Sequence, residues 1–175
     1  MGKGWRFQTN EMQYVSEVLQ NGFGASETGA FTERLENLFA EKHGQKYGIG
    51  CNSGTSTLHA ALEAFGVGEG DEVIIPALTV AMCGYAVTHA NATPVYVDVR
   101  KDTFCIDPED IKKKITPKTK AIMVVHLYGL MCDMEAIGKI AKDHGLYVLE
   151  DCAQCFMATD RKGRIAGTIG DVGSW

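Results

Sequence analysis

Positive charge is in short supply in this chain. Lys and Arg total 17 against 22 Asp and Glu, a formal net charge of -5. The longest basic run, Lys112-Lys113-Lys114, reads as the solvated face of a helix. Nucleic acid and anionic membrane surfaces both demand a concentrated positive field, so neither is expected as a partner. Long apolar runs are missing too: no stretch approaches the roughly 18 residues that suggest a membrane span. The opening Met1-Gly2-Lys3-Gly4-Trp5-Arg6 contains no hydrophobic signal region. Arg6 stands where a myristoylation signal needs Ser or Thr. These features predict a protein of the cytosol.

Metal-ligand spacing is also lacking. The six cysteines, Cys51, Cys83, Cys105, Cys132, Cys152 and Cys155, are dispersed and mostly inside apolar segments. Cys152-Ala153-Gln154-Cys155 is a lone C-x-x-C with neither a second pair nor two well-spaced histidines, so no zinc site is expected. All six are read as reduced and mainly structural. Nor is there a Walker A loop or a G-x-G-x-x-G fingerprint, which argues against a nucleoside triphosphate or dinucleotide.

What is there is an alternation of helix and strand with short, glycine-rich joints. Met12, Val15, Val18 and Leu19 share one face of a first helix that stops at Asn21-Gly22. Phe31, Leu35, Leu38 and Phe39 repeat that spacing in a second, ending at Gly44. Short strands are expected at 47–51, 72–76, 93–97, 120–126 and 147–151, with a further strand entering the core within 170–175. Helices are expected at 55–65, 80–89, after the Asp107-Pro108 cap, and at 133–144 before Gly145. Strands nearly continuous in Val and Ile, separated by helices, predict an α/β fold with a mostly parallel sheet covered on both faces. Nothing after Val172 closes that fold, so the natural protein is expected to continue.

Four segments carry candidate chemistry. Asn52-Ser53-Gly54-Thr55-Ser56 joins a strand to a helix; its glycine and free N–H groups suit an anion, though by itself the segment reads first as an ordinary helix cap. Glu150-Asp151-Cys152-Ala153-Gln154 stands at the carboxyl end of a strand, where ligands bind parallel sheets. Asp151 there either pairs with a protonated heterocyclic nitrogen or caps the next segment. His126, also at a strand end, either lines the site or is a satisfied core histidine. Pro76-Ala77-Leu78-Thr79-Val80-Ala81 forms a wall of the same cleft.

In this order, these segments resemble the DegT/StrS-like nucleotide-sugar aminotransferases, a family of fold-type I pyridoxal-phosphate enzymes. The resemblance runs from about Phe23 to the last residue. It includes Leu35-Glu36-Asn37-Leu38-Phe39-Ala40, Gly70-Asp71-Glu72-Val73-Ile74-Ile75-Pro76, Pro94-Val95-Tyr96-Val97-Asp98-Val99, Ile115-Thr116-Pro117-Lys118-Thr119-Lys120-Ala121-Ile122 and Val125-His126-Leu127-Tyr128-Gly129. It implies a three-layer sandwich, incomplete here: an N-terminal helical segment over 1–22, then the first part of the large cofactor-binding domain over 23–175. It further implies pyridoxal 5'-phosphate as cofactor, with Gly54, Thr55 and Ser56 on its phosphate, Asp151 on its ring nitrogen and Gln154 beside the ring. Val80 stands where the family places a stacking aromatic and offers only aliphatic contact. The Schiff-base lysine is expected beyond Trp175.

The activity so implied is amino transfer from an amino acid, glutamate or glutamine, to a nucleotide-linked keto sugar, by a homodimer with shared active sites. Two alternatives stand beside it. One is a related sugar dehydratase, with histidine in place of the lysine; the other is a non-catalytic binding or regulatory homologue.

Overall fold

The structure, a computed structural model, describes residues 10–21 and 29–175. Gly22, Phe23 and the opening hexapeptide, on which parts of the sequence reading fall, lie outside the described residues. The chain divides into two compact units, Met1–Gly50 and Cys51–Trp175. The first contains α1 (Glu11–Asn21) and α2 (Gly29–His43), where both amphipathic helices were expected. The Phe31 ring meets Tyr14 edge-on at 6.0 Å, and the Arg34 guanidinium lies 4.8 Å over Phe31. Met12, Val15 and Leu19 of α1, and Leu35 and Leu38 of α2, are exposed.

The strand expected at 47–51 does not form. Tyr47 and Ile49 are exposed, and the segment has no regular structure. A strand exists only by pairing its backbone groups, and among the described residues no neighbour pairs with this one.

The second unit is built on five parallel strands. They are β1 (Glu72–Pro76), β2 (Thr93–Val97), β3 (Thr119–Val125), β4 (Tyr147–Asp151) and β5 (Val172–Ser174), in the spatial order β2-β1-β3-β4-β5. β1, β2 and β4 fall on the expected residues. β3 lies one residue earlier, leaving His126 just past its end.

Successive side chains of a strand point to opposite faces, and the two cores follow that alternation. Val73, Ile75, Ala121, Met123, Val125 and Leu149 face α3 (Gly54–Ala64) and α4 (Met82–His89). Ile74, Ile122, Val124 and Val148 face α5 (Pro108–Lys114) and α6 (Met134–His144). The unit is therefore the three-layer sandwich expected, helices on both faces of a parallel sheet. Each fully buried aliphatic such as Ile75 or Ile122 contributes about 1.5–3 kcal/mol.

Local chemistry sets the helix ends. Asp107 Oδ1 accepts from the Glu109 N–H at 3.0 Å, with Pro108 in the first turn. Asp133 Oδ1 accepts from the Ala136 N–H at 3.0 Å, and Gly145 closes α6 in the left-handed conformation, φ 67°. α4 begins at Met82, two residues later than expected. The β-branched pair Thr79-Val80 stays in the preceding turn, and no side-chain bond caps the helix. Among the described residues, no helix is long and apolar enough to cross a membrane.

Candidate active site

The carboxyl ends of β1, β3, β4 and β5 and the start of α3 collect the residues singled out from the sequence. Ser53 caps α3 from an extended backbone, its hydroxyl accepting the Ser56 N–H at 3.2 Å. Ser56 Oγ in turn donates to Asn52 Oδ1 at 2.7 Å. The N–H groups of Gly54 and Thr55 have no acceptor among the described residues. A side chain placed on Gly54 would meet nothing within 4 Å. The helix start thus presents two free donors and the positive end of its dipole to open space, an arrangement suited to an anion.

Asp151 ends β4 and is buried. Its side chain leaves the sheet on the same face as Leu149, the face of α3 and α4. Oδ1 accepts the Ala153 N–H at 3.1 Å, and Oδ2 lies 3.4 Å from the Cys83 thiol. No cation among the described residues pairs with it. A buried carboxylate with one backbone donor and one weak thiol donor keeps acceptor capacity for a further N–H.

Sequence reasoning gave Ser174 no role. The structure makes it the link between the two halves of the site. Ser174 is the register partner of Asp151 on β5, and its hydroxyl lies 2.5 Å from Thr57 Oγ1 in the first turn of α3. These residues are 117 positions apart, so no local motif signals the contact.

Gln154 is exposed, and its Oε1 accepts the Tyr128 N–H at 2.9 Å, holding a turn in which Tyr128 has φ 55°. Val80 is half exposed, in the turn between β1 and α4.

His126 does not line the site. It has no exposed surface, and both ring nitrogens are committed. Nδ1 accepts the Cys132 N–H at 3.1 Å, so the proton rests on Nε2, which donates to Glu150 Oε2 at 2.9 Å. Glu150 Oε2 also accepts the Gly167 N–H at 3.0 Å; Oε1 accepts those of Ile169 at 2.7 Å and Gly170 at 2.5 Å. Burial alone raises the Glu150 carboxyl. The His126 ring and the N–H groups of Gly170 and Gly167 outweigh it and hold the group below the usual carboxylate range. Gly170 is required at this turn, because a Cβ there would lie 2.7 Å from the Val148 carbonyl oxygen.

Ligand atoms of His126, Glu150 and Cys152 lie within 4.8 Å of one another. Four donors already fill the Glu150 oxygens and both His126 nitrogens are bonded, so this cluster is a hydrogen-bond hub rather than a metal centre. All six cysteines are free thiols; Cys51 is exposed and the others are buried.

The residues present fit a phosphorylated pyridine ring. A phosphate matches the free N–H groups of Gly54 and Thr55, and a ring N–H matches the remaining acceptor capacity of Asp151, both on one face of the sheet.

Residues 6–175 match the DegT/DnrJ/EryC1/StrS aminotransferase family. The chain is 44% identical to a GDP-perosamine synthase of Escherichia coli O157:H7 over 165 residues, 94% of this chain and 45% of that protein. It superposes on an aminotransferase of Psychrobacter cryohalolentis with a TM-score of 0.87 and 40% identity, covering 97% of this chain and 42% of the other. It also resembles the putative sugar aminotransferase Spr1654 of Streptococcus pneumoniae in its PMP form (TM-score 0.85, 30% identity, 95% and 45% covered), a protein also solved in a PLP form. The chain spans less than half the length of these relatives.

Proposed function

The chain belongs to the DegT/DnrJ/EryC1/StrS aminotransferase family, whose members are pyridoxal-phosphate enzymes, and on that premise we propose that the full-length protein moves an amino group from glutamate or glutamine to a nucleotide-linked keto sugar. The observation that carries this reading is the placement of a buried Asp151 carboxylate, paired with no cation among the described residues, on the same face of the sheet as the open N-terminus of α3.

The chemistry supplied by pyridoxal 5'-phosphate when bound is an electron sink for the carbon next to the transferred nitrogen. The residues of this chain do the holding. Gly54 and Thr55 N–H groups, with the Thr55 hydroxyl, would bind the phosphate, joined by Ser56 once its hydroxyl turns from Asn52 to the anion. Asp151 keeps the proton on the ring nitrogen. Gln154 and Val80 would line the ring, Val80 with aliphatic contact only. A lysine beyond Trp175 completes the catalytic set and moves the proton. Residues 23–175 form the first part of the cofactor-binding domain. The working form is a cytoplasmic homodimer whose partner subunits finish each other's sites.

Full-length protein incubated with pyridoxal 5'-phosphate, glutamate or glutamine and GDP- or dTDP-linked keto sugars tests this reading. The expected result is an amino sugar formed in step with the 2-oxo acid of the donor. Loss of a sugar hydroxyl without gain of nitrogen, or no turnover with any pair, overturns it.

A further inference from the structure

Two side chains line up on Asp151 Oδ2, the oxygen that the Ala153 N–H does not hold. Cys83, in the first turn of α4, places Sγ 3.4 Å from Asp151 Oδ2. Thr79, in the turn after β1, places Oγ1 3.3 Å from that sulfur. Cys83 has no exposed surface. Burial above all, joined by the negative charge of Asp151, pushes the thiol up to about 12, so it stays protonated through the neutral range. A protonated thiol against a carboxylate directs its hydrogen to the oxygen, which leaves the sulfur to accept from Thr79.

The carboxylate is then gripped from two directions. The Ala153 N–H holds Oδ1, and the Thr79–Cys83 pair holds Oδ2. Two donors on different oxygens fix the plane of the group. Because a thiol donates weakly, most of the charge on Oδ2 remains available to another partner.

We propose that Thr79 and Cys83 form a positioning relay that sets the plane of the Asp151 carboxylate for the nitrogen of a pyridine ring. The proposal rests on Asp151 being the ring-nitrogen partner. Neither residue touches the reacting atoms; both act through Asp151. Their donors come from the segment after β1, 68 positions before Asp151 in the case of Cys83. The relay therefore ties the cleft wall at 77–81 to the end of β4.

The test uses full-length protein, stripped of cofactor and titrated with pyridoxal 5'-phosphate carrying 15N in its ring. Dissociation constants come from absorbance, and the nitrogen resonance reports the ring proton. Cys83→Ala should raise the dissociation constant about three- to tenfold and move the resonance toward the unprotonated position. Cys83→Ser, close to Ala in volume but still a donor, should return both readouts most of the way. Thr79→Val, nearly isosteric, should move both in the Ala direction by less. In an Asp151→Asn background, Cys83→Ala should add no further shift in the resonance. Ala and Ser variants that behave alike in both readouts overturn the relay while leaving Asp151 in place. An unchanged resonance in Asp151→Asn alone overturns the assignment of Asp151, and the relay with it.

Discussion

Glu150 and Asp151 are consecutive carboxylates at the end of one strand, and the strand sends them to opposite faces of the sheet. On the α5/α6 face, Glu150 is saturated: a histidine N–H and three backbone N–H groups fill both oxygens. On the α3/α4 face, Asp151 has one backbone donor and a thiol. Both are buried, so exposure does not separate them. The donor count does. A carboxylate whose lone pairs are used up stabilises the fold, binding the residue after β3, the end of β4 and the 167–170 turn into one piece. A carboxylate left short of donors is poised to receive a ligand, at some cost in stability that the surrounding core offsets.

The largest effect that would break this contrast is on the Glu150 side. Glu150→Gln removes the charge and points an amide NH2 at backbone donors, leaving buried groups unpaired. Full-length protein should lose about 3–5 kcal/mol in denaturant unfolding. The pH dependence has a definite sign. The folded-state carboxyl lies below its unfolded value, so its contribution is complete above the ordinary carboxylate range and fades as pH falls through the folded value. The Gln variant should accordingly lose less stability on acidification than the wild type. Equal acid sensitivity of the two would mean that Glu150 is not the group that matters.

Asp151→Asn should show the converse pattern. Transamination by the full-length protein should fall about a hundredfold or more, because an amide cannot hold the ring nitrogen protonated through a charge pair. Unfolding stability should change by less than about 1 kcal/mol, since the Ala153 N–H still finds an amide oxygen. A variant that keeps most of its rate but unfolds easily would exchange the roles of the two residues.

How much of this was legible beforehand depends on range. β1, β2 and β4 are short apolar runs bounded by turn residues, and each formed where the run lies. Asp107-Pro108, Asp133 and Gly145 mark helix ends through bonds spanning two to four residues, and these were equally readable. The segment at 47–51 has the local pattern of a strand and still fails, because pairing is a property of neighbours rather than of the segment. The site divides the same way. Gly54 and Asp151 could be named from their positions at a helix start and a strand end. The His126–Glu150, Cys83–Asp151 and Thr57–Ser174 contacts join residues 24, 68 and 117 positions apart. Nothing in local composition distinguishes His126 lining a cleft from His126 sealed by Glu150. The fold decides that, through the face on which each side chain leaves the sheet.

The smallest expected effect sharpens the comparison most cleanly, because it uses one kind of interaction on both faces. Ser53 caps α3 and Asp133 caps α6 by the same bond, a side-chain oxygen accepting the N–H three residues on. Replacing either with Ala should cost about 1 kcal/mol of stability, through loss of that acceptor. Only the α3 cap stands at the candidate anion site. Without Ser53, the Ser56 N–H loses its partner and the Ser56 hydroxyl, now bonded to Asn52, is freer to turn. Ser53→Ala should therefore weaken pyridoxal-phosphate binding severalfold in addition to its stability cost, whereas Asp133→Ala should leave cofactor affinity unchanged. Denaturant unfolding and cofactor titration on the same two full-length variants provide the check. Equal cofactor affinity in both would reduce the start of α3 to an ordinary capped helix, and the distinction between the two faces would then rest on Asp151 alone.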